Sequence, residues 1–90
     1  MRYLHVKWKH KDPGAPVQIY SEIGDDSYER RKVEIYKDGR KGFADGDEEA
    51  GGTSLGVMPV PSLKEIAAQP EYEVKEIPVE EFQRIWLKRR

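Results

Sequence analysis

The chain contains no cysteine. That excludes disulfides and thiolate metal sites and is compatible with a reducing compartment. No apolar run approaches the ~20 residues of a membrane-spanning helix. The first residues, MRYLHVKWKHK, lack the apolar segment of about 7–15 residues that a secretory signal needs. A cytoplasmic protein without a membrane partner is therefore expected. A surplus of either charge is also missing, the formal net charge being −1. A general nucleic-acid binder releases counterions from phosphates with a basic surplus, so nucleic acid is not the expected partner. Apolar residues make up 37%, below the usual ~45–50%, so the core must be small. The aromatic rings carry much of it, each burying on the order of 150–250 Å².

What the chain does have is charge, 37% of its residues, and the charge is segregated. Arg2 to Lys11 is basic, Glu71 to Glu81 is acidic apart from Lys75, and Arg84 to Arg90 is basic. Such blocks create local fields without a net charge. Ninety residues make one domain, taken here as residues 1–90.

Strand periodicity dominates the first half. Leu4, Val6 and Trp8 alternate with Tyr3, His5 and Lys7, which predicts a strand with one face toward a core. Lys11-Asp12-Pro13-Gly14 reads as a turn, since proline presets φ and glycine accepts positive φ. Val17–Ile23 and Tyr28–Tyr36 read as two further strands, separated by Gly24-Asp25-Asp26-Ser27. Asp38-Gly39 between two strand-like runs marks a tight hairpin, with Lys41–Ala44 returning on Phe43. Asp45 to Gly56 reads as a loop. Ser62-Leu63-Lys64-Glu65 matches a capping box, so a short helix starts there and stops before Pro70. Tyr72–Ile77 reads as another strand. Pro78 opens a last helix at no hydrogen-bond cost, with Val79, Phe82, Ile85 and Trp86 as its apolar stripe. The fold class expected is α+β: an antiparallel sheet of about four to five strands, the C-terminal helix packed on one face and a second short helix capping one end.

Whole stretches of the chain resemble a family of small bacterial proteins described as a domain of unknown function, DUF6881. The resemblance rests on MRYLHVKW, PVQIYSEIGDDSYERRKVEIYKDG, GGTSLG with PVPSLKEI, and IPVEEFQRIW. Families of this kind look like components of bacterial conflict systems, including immunity proteins that neutralise toxins. The resemblance implies no catalytic residues.

The chemistry-bearing patterns are incomplete. Counting a calcium loop from Asp45 puts Ala50 where glycine belongs and Gly56 where glutamate belongs, leaving a solvated acidic loop. Gly51 and Gly56 have phosphate-loop spacing, but Val57 and Met58 follow instead of lysine and a hydroxyl residue. A glycine turn crossing the sheet edge is the plainer reading. His5 and His10 cannot complete a zinc site, and no serine sits in a nucleophile elbow. Glu22, Asp25, Asp26 and Glu29 would need a cleft that separates their pKa values to work as an acid and a base. No metal, cofactor or catalytic residue is therefore expected. Arg30-Arg31-Lys32 and Lys88-Arg89-Arg90, with Tyr28 and Tyr36 interleaved, keep open an accessory role on single-stranded nucleic acid.

The leading expectation is a non-enzymatic protein-binding module, an immunity or antitoxin-like protein that blocks a toxin. Tyr20, Tyr28 and Trp8 are candidate interface anchors, each with a place in the core as the competing reading. Glu22, Asp25 and Asp26 would form an acidic rim suited to a basic toxin domain. Asp45, Asp47, Glu48 and Glu49 supply a second acidic segment, whose reversal to lysine is expected to abolish partner capture and leave the fold intact. An exposed edge strand leaves the oligomeric state open.

Overall fold

The computed structural model describes residues 1–90. Six strands form one antiparallel sheet: β1 (Arg2–Trp8), β2 (Gln18–Ile23), β3 (Glu29–Ile35), β4 (Lys41–Ala44), β5 (Glu49–Ala50) and β6 (Tyr72–Glu76). Two helices, α1 (Leu63–Ala67) and α2 (Val79–Leu87), complete the α+β fold. The strand order is β5-β4-β3-β2-β1-β6. The first five strands therefore run as a meander, and β6 returns to the outer side of β1. The sheet has one strand more than the upper expectation. The addition is β5, whose two residues pair Phe43 with Ala50 and Ala44 with Glu49 and are too short to leave a periodic signal.

Two hairpins share one turn chemistry. Between β3 and β4, Gly39 N–H donates to Tyr36 C=O, Tyr36 N–H to Arg40 C=O, and Arg40 N–H to the Asp38 carboxylate. Gly39 sits at φ 91°, the left-handed position that closes this turn class. Between β2 and β3 the same bonds recur: Ser27 N–H to Gly24 C=O, Gly24 N–H to Tyr28 C=O, and Tyr28 N–H to the Asp26 carboxylate. Here the left-handed position holds Ser27, at φ 71°.

Both faces of the sheet are covered, so residues on each side of the β1 alternation are buried, Leu4 and Val6 on one and His5 on the other. The register Tyr3↔Glu22, His5↔Tyr20, Tyr20↔Val33, Glu22↔Arg31 and Val33↔Phe43 puts these side chains on one face. That face lies under α2. Tyr20, Val33 and Phe43 pack there with Ile77, Phe82 and Trp86, and Tyr3, Ile35 and Ile85 join at the margin. Leu4, Val6 and Trp8 point to the opposite face, which is covered by the segment through Val60, Pro61 and Ile66 of α1. Alternation separates two faces but does not say which one the helix takes. With Phe82 and Trp86 on the helix, the aromatic face of the sheet offered the larger rings to pack against.

Three expectations are corrected. Trp8 is only half-buried, stacked edge-on against His10 and tilted against Tyr72 at the far end of β1. Val79 is 41% exposed, so the apolar stripe of α2 is Phe82, Ile85 and Trp86. The short helix does not cap an end: Ile66 lies over the second face of the sheet. Its start is as expected, since Ser62 accepts from Glu65 N–H and Glu65 accepts from Ser62 N–H. No helix is long and apolar enough to cross a membrane.

The crossing onto the second face is fixed by Gly42 and Thr53. Gly51 and Gly52 adopt φ 69° and 82°, turning the chain out of β5. Thr53 Oγ1 then donates to Glu34 at 2.7 Å, directly above Gly42, where an added Cβ would collide with that hydroxyl.

Candidate functional site

The acidic turns fall at one end of the sheet. The β2–β3 turn leads into Glu29, and the β4–β5 turn leaves Ala44, which pairs with Lys32. They are separated by two strand spacings, about 10 Å. The residues in them are not equally free. Asp26 accepts from Tyr28 N–H at 3.1 Å and from Arg30 at 2.9 Å, and those two bonds, in that order, hold its carboxyl below the usual range. Asp45 accepts from the N–H groups of Asp47 and Glu48, both at 2.8 Å, and is held low by them. Glu48 takes two bonds from Arg90, at 2.8 and 3.2 Å. Asp25 meets the N-terminal ammonium at 3.3 Å. Asp47 and Glu49 are exposed and bear no ion pair. Asp45 and Glu48 thus serve the turn and the C-terminus, which corrects the expectation that all four acids of this segment can be reversed without cost to the fold.

Tyr20 and Glu22 are not on the surface. Each is 7% exposed, beneath α2. Tyr20 stacks on His5 with ring centroids 4.1 Å apart. Glu22 receives Arg31 Nε at 2.8 Å and Nη2 at 2.7 Å. That charge-assisted pair lowers the Glu22 carboxyl against the opposing effect of burial. The Arg31 guanidinium also covers the rings of Phe82 and Trp86 at 4.9 and 5.0 Å. The predicted patch of Tyr20, Tyr28 and Trp8 with an acidic rim is therefore dispersed: Tyr20 and Glu22 are internal, Trp8 is at the other end of the sheet, and Asp25, Asp26 and Tyr28 remain together on the β2–β3 turn.

Around that turn the structure adds two residues that the sequence reading passed over. The segment Gly56–Val60 is tied to the hairpin at both ends. Gly56 N–H donates to Glu29 Oε1 at 2.6 Å, and Val60 N–H donates to Ser27 C=O at 2.7 Å. The anchors flank Tyr28 in the chain. Between them Val57 and Met58 stand 86% and 72% exposed. Glu29 is itself fixed, taking bonds from Ser21 at 3.3 Å and Lys32 at 2.9 Å. The signal in the sequence was an apolar pair set in a loop, with Pro59 and Pro61 barring helix and strand.

Catalytic and metal chemistry finds little assembled. Glu22 and Glu29 project from opposite faces of the sheet, following the β2–β3 register. His5 Nε2 is bonded to Gln18 at 2.8 Å. Burial holds its imidazole pKa below the ordinary value. His10 Nε2 lies 2.7 Å from Pro16 C=O, and its Nδ1 accepts from Asp12 N–H. No group of three or more histidine, aspartate or glutamate side chains converges to hold a metal ion. Most residues of the two basic clusters are also engaged. Arg30, Arg31, Lys32 and Arg90 each pair with a carboxylate, and Arg89 lies 4.1 Å over Trp86.

A family model described as Domain of unknown function (DUF6881) matches residues 2–90. No curated protein and no solved structure matches the chain.

Proposed function

The chain belongs to the DUF6881 family, and from its surface we propose that it is a non-enzymatic protein-binding module. The observation that carries this reading is the exposure of Val57 and Met58 in a loop clamped at both ends to the β2–β3 hairpin. Burying an apolar side chain of this size stabilises a complex by about 1.5–3 kcal/mol. A clamped loop loses little conformational freedom on binding, so more of that gain reaches the affinity. Methionine adds an adaptable contact. Tyr28 is the aromatic residue at hand, 38% exposed, with Asp25 and Asp26 beside it.

The acidic end, with Asp47 and Glu49 free of ion pairs and Asp25 fully exposed beside the N-terminal ammonium, suits a basic partner. A toxin domain that binds phosphates has that character, so the finer proposal is an immunity or antitoxin-like protein acting in the cytoplasm. The engagement of both histidines supports a non-enzymatic role. The pairing of Arg30, Arg31, Lys32 and Arg90 within the fold weighs against the nucleic-acid accessory role.

The test is affinity capture from native lysate with mass spectrometry, comparing the unaltered protein with a Val57→Asp/Met58→Asp variant and with Asp25→Lys. A stoichiometric basic protein, lost in the first variant and weakened in the second at unchanged melting temperature, is the expected result. Equal capture by all three, or capture of nucleic acid alone, would overturn the reading.

A further inference from the structure

The sheet has two edges of unequal character. β5 is two residues long and offers almost no template. β6 is longer, forms the other edge of the sheet, and is not interrupted by a bulge in its pairing to β1. Long open edges are commonly blunted by proline, a bulge or repelling charge. The prolines nearest β6, Pro70 and Pro78, both lie outside it.

The register fixes which backbone groups face outward. Lys9 N–H donates to Glu71 C=O and Ile77 N–H donates to Tyr3 C=O. In an antiparallel pair the bonding residues alternate, so the odd residues of β6 turn their backbone groups to β1. Those of Val74 and Glu76, and the Tyr72 C=O, point away from the sheet. The Tyr72 N–H is already used, donating to Gln69 C=O at 3.1 Å.

We propose that β6 pairs with β6 of a second copy of this chain, antiparallel about a two-fold axis through Val74. In that register Val74 exchanges both backbone bonds with Val74 of the second copy, and Glu76 N–H donates to Tyr72 C=O of the second copy. Glu73 stands opposite Lys75 of the second copy, and Lys75 opposite its Glu73. These are the close, non-hydrogen-bonded positions of the ladder, with Cα atoms about 4.5 Å apart. A shift of two residues either way would set Glu73 against Glu73 or Lys75 against Lys75. The charge pattern thus selects one register, and it is self-complementary, as an isologous interface requires. Glu73 and Lys75 are exposed. Just past β1, Lys9 lies 3.5 Å from Glu73, and Lys7 stands opposite Glu73 across the ladder, so Glu73 is surrounded by cations from both directions. The pairing would make one continuous sheet across both copies, leaving α2 and the Val57–Met58 loop of each on their own faces.

Sedimentation equilibrium over a wide concentration range tests this. The unaltered protein is expected to reach an apparent mass twice that of the 10.4 kDa chain. Lys75→Glu and Glu73→Lys each set like charges opposite one another, and each is expected to weaken self-association about tenfold or more. Mixed in equal amounts, the two variants face opposite charges again, so the mixture is expected to recover the dimer. Val74→Pro removes an outward N–H and none of the bonds to β1, and is expected to be monomeric; it serves should either charge variant fail to fold. A protein that stays monomeric at millimolar concentration would overturn the proposal. So would a dimer that survives Val74→Pro, or one indifferent to both charge reversals.

Discussion

Arg31 grips Glu22 with two parallel hydrogen bonds, of 2.8 and 2.7 Å, across the β2–β3 ladder and beneath α2. The same guanidinium donates to Gln83 at 2.9 Å and roofs two aromatic rings of the helix. The pair joins the sheet to the helix at a position where an apolar residue would otherwise complete the core. Arg31→Ala is expected to cost about 2–4 kcal/mol, because it leaves the Glu22 carboxylate buried without its partner. Arg31→Met with Glu22→Leu, which removes both charges, is expected to lose less than Arg31→Ala alone. Urea denaturation of the three proteins measures this.

The pH dependence of stability follows from His5 and Glu22. Both folded-state pKa values are depressed, His5 by burial and Glu22 by Arg31. The unfolded chain therefore takes up protons at a higher pH than the folded one, and stability falls as pH falls. The loss due to His5 begins near the ordinary imidazole value of about 6.5; that due to Glu22 begins near the ordinary carboxyl value of about 4.3. His5→Phe keeps a ring on Tyr20 and is expected to flatten the first part of the curve without altering the second. Melting temperatures from pH 7.5 down to the acid limit resolve the two.

Ser27 occupies a backbone conformation that its equivalent in the next hairpin leaves to Gly39. A side chain there costs roughly 1–2 kcal/mol, offset in part by the greater unfolded-state freedom of glycine. Ser27→Gly is expected to stabilise the protein by about 0.5–1 kcal/mol, and Gly39→Ala to destabilise it by a similar amount. Thermal unfolding of the two variants gives both signs.

Gly42 is the floor on which Thr53 rests. A methyl group there would meet the Thr53 hydroxyl and the backbone around Gly51. Gly42→Ala is expected to cost about 1–3 kcal/mol, the usual range for overpacking. It would also release the loop that carries Val57 and Met58, seen as faster amide exchange from Ser54 to Val60.

The acidic segment divides by role. Asp47→Lys with Glu49→Lys is expected to leave the melting temperature within a few degrees of its original value, since surface changes of this kind stay near ±0.5 kcal/mol. Asp45→Lys is expected to lower the melting temperature through loss of its turn bonds. Within this segment only the first pair is suited to probing partner capture by charge.

Much of the backbone plan was readable beforehand because it is written locally. Asp38-Gly39 and Ser62-x-x-Glu65 act over a few residues, and the turn and the helix start stand where those signals placed them. What resisted reading depends on distant groups. Period-two alternation marked Leu4, Val6 and Trp8 as one side of β1, yet only the arrival of Phe82 and Trp86 decides which side the helix covers. Tyr20 looked like an interface anchor and Glu22 like part of an acidic rim because the His5 ring and the Arg31 bridge that allow their burial belong to neighbouring strands. Val57 and Met58 have no periodicity at all. Their exposure follows from hydrogen bonds at Gly56 and Val60 to Glu29 and Ser27 of a hairpin much earlier in the chain.

The late return of β6 to β1 also has a consequence during synthesis. Strands β1 to β5 pair in the order in which a ribosome delivers them, each with the strand just made. The outer edge of β1 waits instead for a partner that begins at Tyr72. At about 5–20 residues per second the intervening chain takes roughly 3–13 s to emerge. Through that interval β1 is itself an open edge, and Lys7 within it and Lys9 just beyond it are the groups that discourage it from pairing with a neighbouring nascent chain.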